Sequence, residues 1–391
     1  MRPYASLPIL ALFAGLAAAP ALAADYDIHV VIPTSGGGAF AGKGQQDVLG
    51  ALTEVVNKAG GVNGQNIKFV YHDDQTSPQV AVQLINEILP LKPKVVMGSS
   101  LVAMCRAMTA LMKNGPVHFC LSPGLHPAPG GFAFSSASSS TDQVAATINY
   151  FRENGVAKIA ALQTTDASGQ DGDDAIKAAM AKPENAGLKM VAYEHFNPTD
   201  INVSAQMERI RQSGAQALVS WSTGSPVATV FKGMIQAGLD IPVAPTSGNQ
   251  TVAQMTQWAD FLPKQLVLPS GLWPAHDGAF KLDPRVEQAQ KDMYAALAAR
   301  NVAPDNAVST SWDAGLIVVA GLNKIGADGT PTQLRDFIAN LQNFPGIGGV
   351  YDFKKYPERG LGTDAAVVTR WDAAKKAFVW VSGPNGVALA K

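Results

Sequence analysis

Residues 28–74 have the sequence IHVVIPTSGGGAFAGKGQQDVLGALTEVVNKAGGVNGQNIKFVYHDD, which predicts a βαβ unit. An apolar strand over residues 28–32 is followed by a glycine-rich loop, residues 35–44. Apolar residues then recur every three or four positions, as in an amphipathic helix, before a second strand over residues 67–71. Open α/β sheets bind ligands at the carboxyl ends of their strands, so this loop, with Phe40 as its one large side chain, is a candidate binding loop.

The beginning of the chain predicts an exported protein. Arg2 precedes an apolar run, residues 7–19, and Ala21-Leu22-Ala23 has the small-x-small form that signal peptidase cleaves. We therefore expect residues 1–23 to be a signal peptide, cleaved after Ala23, and the mature protein to be periplasmic. With 30 basic and 31 acidic residues and no run of either, the chain is not expected to bind nucleic acid or an anionic membrane surface.

Strands and helices alternate along most of the chain, which predicts an α/β fold with mostly parallel sheets covered by helices on both faces. A mature chain of this length exceeds the roughly 250–300 residues at which single cores stop growing, so two doubly wound lobes are expected. Three crossings are predicted between the lobes, at residues 135–141, at Trp273-Pro274 and at residues 343–349. The predicted closing antiparallel meander comprises residues 350–353, 366–371 and 377–382. The predicted division is lobe 1, residues 24–141 and 275–345, and lobe 2, residues 142–274 and 346–391. Such an arrangement leaves a ligand cleft between the lobes and allows hinge motion.

The chain has two cysteines, Cys105 in a predicted helix and Cys120 near the end of the next strand. Two separate buried thiols are the favoured interpretation, because disulfide geometry forbids most arbitrary pairs of cysteines. A disulfide is the alternative in an oxidising compartment. No Cys-x-x-Cys motif is present, so neither interpretation indicates a redox enzyme.

Several loop motifs recur in a fixed order along the chain. They are the glycine-rich loop at 35–44, AGGVNG at 59–64, HDDQTSP at 72–78, GSS at 98–100, LSP at 121–123 and AGLDIP at 237–242. This pattern resembles the periplasmic solute-binding proteins of the leucine/isoleucine/valine-binding type, which have the type I fold and serve ABC importers. The resemblance implies a receptor without catalytic activity or a cofactor, a small-molecule ligand in the cleft, a membrane permease as partner and a monomeric state.

The resemblance also implies which loops contact the ligand. The corresponding candidate residues are Phe40, Ser99, Ser100, Gly124, His126, Ser140, Ser168, Trp221, Thr223 and Asn249, with Trp273 as a further apolar wall. Helix capping is the competing explanation for Ser99 and Ser100.

Two departures from the family pattern bear on the ligand. Amino-acid-binding members usually carry an acidic residue where this chain has Ser140, and often another where it has Asn249. A buried ammonium group without a counter-charge is costly, so an aromatic or other hydrophobic carboxylic acid is the expected ligand. Phe40 and Trp221 would supply flat walls, and His126 with the serines and free backbone N–H groups would hold the carboxylate. A branched-chain or other amino acid, or an amide, is the alternative.

Other functional classes have weaker support. Gly36-x-Gly38-x-x-Ala41 is only a loose dinucleotide fingerprint, and Asp73-Asp74 lack partners at metal-ligand spacing. The six histidines form no His-x-x-x-His motif, so no metal is expected. An exported enzyme of the same fold would need a reactive pair in the cleft, and no Gly-x-Ser-x-Gly motif surrounds Ser99, Ser100 or Ser122. A sensory receptor module is a third class, for which no attached signalling domain is evident.

Overall fold

The structure is a computed structural model that describes residues 25–274, 280–357 and 359–389. The predicted signal peptide lies outside these residues. Within the described part of the chain, no helix has the length and apolar character needed to cross a bilayer.

Lobe 1 is built on a parallel sheet of five strands in the order β2-β1-β3-β4-β5. Its strands are β1 (Tyr26–Ile32), β2 (Ile67–Asp73), β3 (Val95–Gly98), β4 (Val117–Phe119) and β5 (Ala133–Phe134). The helices between them are α1 (Ala39–Lys58), α2 (Pro78–Ile88) and α3 (Val102–Leu111). The βαβ unit predicted from the glycine-rich stretch is therefore confirmed.

The first turn of α1 corrects one detail of that prediction. Residues 39–44, which were expected in the loop, are helical. Gly42 explains the difference, because a Cβ at this position would lie 1.8 Å from the carbonyl oxygen of Pro33. The glycine lets the helix pack directly against the strand end that precedes it, and does not mark a loop.

Lobe 2 has a second parallel sheet, of four strands in the order β7-β6-β8-β9. Its strands are β6 (Lys158–Thr164), β7 (Lys189–Phe196), β8 (Ala217–Ser220) and β9 (Val243–Pro245). Its helices are α4 (Ser140–Glu153), α5 (Ala167–Met180), α6 (Ser204–Gln212), α7 (Pro226–Gln236) and α8 (Val252–Gln257). The two-lobe α/β architecture with mostly parallel sheets is confirmed.

Helix α5 begins six residues earlier than the sequence predicted, because residues 164–172 were expected to form a loop. Gly169 and Gly172 suggested that loop, yet both lie in the helix. A Cβ at Gly169 would lie 1.6 Å from the carbonyl oxygen of Thr164, and one at Gly172 would lie 2.3 Å from Cβ of Trp221. Both glycines are needed for close packing.

The last third of the chain adds helices to lobe 1 and strands to lobe 2. Its elements are β10 (Leu268–Ser270), α9 (Pro284–Ala299), α10 (Asn306–Ile325), α11 (Pro331–Ala339), β11 (Phe344–Gly346), β12 (Gly349–Tyr351), β13 (Val367–Asp372) and β14 (Ala377–Trp380). Helix α10 packs on α1, where Gly315 contacts Leu52. Strand β13 pairs antiparallel with β10 and β14 beside the lobe 2 sheet.

The predicted closing meander is wrong in its first strand. Strand β12 pairs with β11 in a separate antiparallel hairpin and does not pair with β13. The reason is Asp313 on α10, whose carboxyl oxygens accept hydrogen bonds from the amides of Ile347 and Gly348 and from the Tyr351 hydroxyl. These bonds attach the hairpin to α10. The residues at which the chain divides between the lobes remain a prediction.

Cys105 and Cys120 form a disulfide, with their Cα atoms 5.9 Å apart. The favoured interpretation of two separate thiols was therefore wrong. Helix α3 places Cys105 above the residue that follows β4, and the sequence alone did not show this proximity. The bond joins α3 to the end of β4 within a buried apolar cluster that includes Leu125 and Ala133.

Candidate ligand-binding site

A cavity of about 380 Å³ lies between the two lobes, at the carboxyl ends of both parallel sheets. Open α/β sheets place their ligands at this edge. Its apolar walls include Leu101, Val102, Met104, Leu121, Pro123, Trp221 and Pro226. Its polar lining includes Gln45, Ser100, Ser122, Ser140, Gln143, Asp166, Ser168, Asp171, Thr223, Thr246, Asn306 and Thr310. The lining therefore combines large apolar surfaces with hydroxyl, amide and carboxyl groups, and includes no lysine or arginine among the described residues.

The amino end of α3 forms the lobe 1 side of the cavity. Residues 101–104 all line it, and the N-cap residue, Leu101, supplies no side-chain hydrogen bond to the free amides of the first turn. Such amides attract anions. Ser99 and Ser100 do not cap the helix, which corrects the competing explanation given for them. Ser99 donates a hydrogen bond to buried Asp74, and Ser100 donates one to Gln45.

The lobe 2 side contains Trp221, which is 2 % exposed and follows β8 directly. Its side chain packs against Gly172 and closes one wall of the cavity. Ser168 and Thr223 both line the cavity, and their hydroxyl oxygens lie 2.9 Å apart. Asp166 caps α5 by accepting hydrogen bonds from the amides of Ser168 and Gly169, so this carboxyl group has a structural role.

Arg359 anchors the loop after β4 from the side away from the cavity. This guanidinium is buried and donates hydrogen bonds to the backbone carbonyls of Pro123, Leu125 and Ala137 and to the Ser135 hydroxyl. Burial lowers the pKa of Arg359 to about 10. Pro123 and the glycine after it line the cavity, so Arg359 positions part of its wall without contacting its interior.

His126 and Asp171 connect the two lobes at one edge of the cavity. The distance from His126 Nε2 to Asp171 Oδ1 is 2.7 Å, and Nε2 also lies 3.2 Å from Ser140 Oγ. Because a carboxylate accepts hydrogen bonds, Nε2 carries the proton. A Ser-His-Asp hydrolase needs the serine and the carboxylate on opposite ring nitrogens, whereas here both face the same nitrogen. This group is therefore arranged as an interlobe contact and lacks the geometry of a catalytic triad.

Two further contacts join the lobes at the mouth of the cavity. Gly37 of lobe 1 faces Gly224 of lobe 2, where a Cβ on Gly224 would lie 2.7 Å from the Gly37 carbonyl oxygen. The ring of Phe40 packs edge-on against Trp258, with 6.3 Å between the ring centroids. Together with the pair His126–Asp171, these contacts join the two lobes next to the cavity.

The structure brings six of the predicted site residues together around the cavity. They are Ser100, Gly124, Ser140, Ser168, Trp221 and Thr223. The other five do not line it, and those are Phe40, Ser99, His126, Asn249 and Trp273.

Each of these five has a different environment. Phe40 contacts Trp258, and Ser99 is buried against Asp74, as described above. Asn249 is fully buried, where it accepts a hydrogen bond from the Gly224 amide and donates one to the Ser222 carbonyl. Trp273 is buried against Phe378. His126 is exposed on one side and reaches the site only through Asp171 and Ser140.

The sequence interpretation missed Asp171, because its segment was expected to be a loop. In the helix that actually forms, Ser168 and Asp171 are three residues apart and therefore share a face, and that face lines the cavity. Asp166 at the N-cap position, followed by residues compatible with a helix, was the available signal. Gln45 and Gln143 were also missed, although both lie on predicted helices, because no polar face was assigned to those helices.

Comparison with known proteins agrees with this geometry. The profile of the periplasmic binding protein family matches residues 26–376. The chain belongs to this family. Its members of the leucine/isoleucine/valine-binding type share the type I fold, and the family implies an extracytoplasmic location.

Among related periplasmic binding proteins, the Leu/Ile/Val-binding protein homolog 3 of Brucella melitensis is 25 % identical over 330 residues, covering 82 % of this chain and 85 % of that protein. The leucine-, isoleucine-, valine-, threonine- and alanine-binding protein of Pseudomonas aeruginosa is 24 % identical over 329 residues, covering 81 % and 84 %. These relatives are named as binding proteins, not as enzymes. No group of three or more potential metal ligands occurs within the described ranges.

Solved structures show the same fold. A type 1 periplasmic binding protein from Bordetella pertussis superimposes with a TM-score of 0.77 at 20 % identity, covering 91 % of this chain and 99 % of that one. The solute-binding protein of an ABC transporter from R. palustris, in complex with benzoate, gives a TM-score of 0.72 at 17 % identity, covering 94 % and 98 %.

Proposed function

We propose that this periplasmic binding protein is the solute receptor of an ABC importer, exported after cleavage behind Ala23. In this proposal a monomeric receptor closes its lobes around a small aromatic or hydrophobic carboxylic acid and then docks on a membrane permease. No bond in the ligand is made or broken, and binding energy stabilises the closed state.

The cavity lining is the observation that supports this ligand class. The indole of Trp221 and the side chains of Leu101, Val102 and Met104 provide apolar walls of a size that suits a ring or a branched chain. The free amides at the start of α3 offer hydrogen-bond donors to a carboxylate. The ligand's charge would thus be held by backbone dipoles, without an ion pair to a basic side chain.

Two structural neighbours are consistent with this class. The R. palustris protein was solved in complex with benzoate, and another neighbour is a fatty acid ABC transporter substrate-binding protein from Thermomonospora curvata, with a TM-score of 0.75 and 18 % identity. Both are similar to this chain in fold, and each named ligand is an organic acid.

An amino acid is the second candidate ligand. Asp171 favours an amino acid, because this carboxyl group lines the cavity and could form an ion pair with an ammonium group. Against it, the positions aligned with the acidic residues of amino-acid-binding members hold Ser140 and Asn249. Curated relatives named for leucine, isoleucine and valine binding point in the same direction.

A thermal-shift screen of the mature protein tests the proposal. The panel contains benzoate, phenylacetate, 4-methylpentanoate and hexanoate beside leucine, isoleucine, valine and phenylalanine. A ligand present at 100 times its Kd should stabilise the native state by about 2.7 kcal/mol, which raises the unfolding midpoint measurably. Stabilisation by the acids supports the proposal. Stabilisation by the amino acids alone would show that the ligand class is wrong.

Variants at two tryptophans distinguish the loss of a cavity wall from a general loss of stability. Trp221→Leu should weaken the binding of aromatic acids, because it removes the indole wall. Trp371→Leu changes a lobe 2 tryptophan that does not line the cavity and serves as the control. Equal losses of affinity in both variants would contradict the assignment of this cavity as the binding site.

A further inference from the structure

Among the described residues that line the cavity, Asp171 is the one carboxyl group that the fold does not use as a cap. Its residue is only 4 % exposed, although it lines the cavity. Its Oδ1 atom accepts the hydrogen bond from His126. Among the described residues, no group donates a hydrogen bond to Oδ2. The helix cap is already supplied by Asp166, so α5 does not explain the position of Asp171.

Gly124 keeps Oδ2 open toward the cavity. A Cβ on this glycine would lie 2.8 Å from Asp171 Oδ2 and 3.2 Å from Cβ of Val102. A side chain at position 124 would therefore cover the oxygen, and glycine leaves that space free. The same two distances place Oδ2 within about 6.0 Å of the Val102 Cβ, in the first turn of α3.

A second acceptor near this corner also lacks a donor. Gln143 donates its amide N–H to the Ser138 carbonyl, while its Oε1 is buried without a partner. Gln143 lies one helical turn after Ser140, which faces His126, and both residues line the cavity. A buried acceptor without a donor is costly, so this corner is suited to a ligand that brings hydrogen-bond donors.

We propose that Asp171 is a specificity-determining residue that accepts a hydrogen bond from an O–H or N–H group on the ligand. The proposal rests on the proposed function, in which the ligand carboxylate lies at the amino end of α3. Because Oδ2 lies close to the amino end of α3, the donor group must be adjacent to the ligand's carboxylate. This donor then lies between the Asp171 carboxylate and the ligand carboxylate, which would otherwise repel one another. The ligand class is therefore an acid carrying a hydroxyl or amino group on the carbon next to its carboxylate.

Two matched series of acids test this assignment. The first comprises phenylacetate, mandelate and phenylglycine, and the second comprises 4-methylpentanoate, 2-hydroxy-4-methylpentanoate and leucine. Within each series only the substituent beside the carboxylate changes, from hydrogen to hydroxyl to amino. The Kd of each acid is measured by isothermal titration calorimetry with the mature wild-type protein, with Asp171→Asn and with Asp173→Asn.

The expected result is a preference in wild type that depends on Asp171. In at least one series, a substituted acid should bind at least tenfold more tightly than its parent, and Asp171→Asn should reduce that ratio below threefold. Asp173 lies two residues further along α5 and bonds to Tyr193 and His195, away from the cavity, so Asp173→Asn should keep the preference. A larger gain for the hydroxyl member identifies a hydroxy acid, whereas a larger gain for the amino member identifies an amino acid, the second candidate ligand of the proposed function.

Gly124→Ala provides a second variant that leaves Asp171 in place. Its methyl group would cover Oδ2, so the preference should fall although the carboxyl group remains. The ratio of two Kd values is compared, and a general loss of affinity cancels in that ratio. This variant and the wild-type series keep the test decisive if Asp171→Asn does not fold.

Two results would overturn the assignment. One is that in both series the parent acid binds wild type as tightly as both substituted acids, and the other is that Asp171→Asn weakens parent and substituted acids by the same factor. In either case the carboxylic acid receptor survives. If none of the six acids binds, the proposed function fails and the role of Asp171 fails with it.

Discussion

Acidification should destabilise the protein through His118, a fully buried histidine on β4. Its Nε2 atom is hydrogen-bonded to the Gly98 carbonyl oxygen, and its Nδ1 atom lies 2.7 Å from Thr109 Oγ1. Since a carbonyl oxygen only accepts, Nε2 carries the proton of the neutral ring. Burial lowers the pKa of His118 from 6.5 to about 4.

The sign and size of the effect follow from proton linkage. Between pH 6.5 and pH 4 the unfolded chain binds a proton at His118 and the folded chain does not, so the free energy of unfolding falls as pH falls. Each unit by which the folded and unfolded pKa differ corresponds to about 1.4 kcal/mol. Lowering the pH from 7 to 5 should therefore remove roughly 2 kcal/mol, and further acidification to pH 4 should remove roughly 3 kcal/mol in all.

Urea unfolding at pH 7, 6 and 5 measures this dependence in wild type and in His118→Gln, whose side-chain amide can still donate to Gly98. The pKa values of His29 and His72 are also lowered, first by burial, so both histidines add to the acid sensitivity of both proteins. The difference between the two slopes isolates His118. His195→Gln, at an exposed histidine, controls for the loss of an imidazole elsewhere. The reasoning is refuted if His118→Gln loses stability with acid as steeply as wild type.

Three further substitutions test other contacts. Phe40→Ala should weaken ligand binding by about 1 kcal/mol, roughly fivefold in Kd by calorimetry, because it removes the ring contact with Trp258 that joins the two lobes. An unchanged Kd would show that this contact does not contribute to closing. Replacing both Cys105 and Cys120 by serine should lower the free energy of unfolding by about 3 kcal/mol, since the disulfide closes a short loop. Dithiothreitol should lower the urea midpoint of wild type equally, and a midpoint insensitive to reductant would contradict this. Asp313→Ala should destabilise by about 3 kcal/mol or more, because two amides and a hydroxyl lose their acceptor. Limited proteolysis should then cut the β11–β12 hairpin, and a resistant hairpin would show that Asp313 does not hold it.

The architecture could be predicted from the sequence because the spacing of apolar residues and the positions of capping and turn residues reflect local structure. The alternation of strands and helices, Ser77 with Pro78 at the start of α2, and the strand leading to Trp221 were all recognisable without tertiary information. The cavity residues that follow strands, among them Gly124 and Thr223, were predicted for the same reason, since parallel strand ends converge.

The prediction errors arose at residues whose role depends on contacts that the local sequence does not show. Gly42 and Gly169 have the appearance of loop residues, and only their contacts with the carbonyl oxygens of Pro33 and Thr164 show why a helix requires them. Asp171 was missed as a direct result, because a residue assigned to a loop has no predicted face. Trp273 looked like a cleft wall, yet its ring packs against Phe378 on a strand a hundred residues further along the chain.

The contact between Phe40 and Trp258 also affects how the receptor would signal occupancy to a transporter. It lies outside the cavity, so it favours closing whether or not a ligand is present. A stronger contact would raise apparent affinity by lowering the free-energy cost of reaching the binding-competent state. It would also increase the fraction of empty receptors that resemble loaded ones, and these would occupy permeases without delivering cargo. The edge-on contact of the half-buried Phe40 ring with buried Trp258 therefore balances sensitivity to the ligand against unproductive encounters at the membrane.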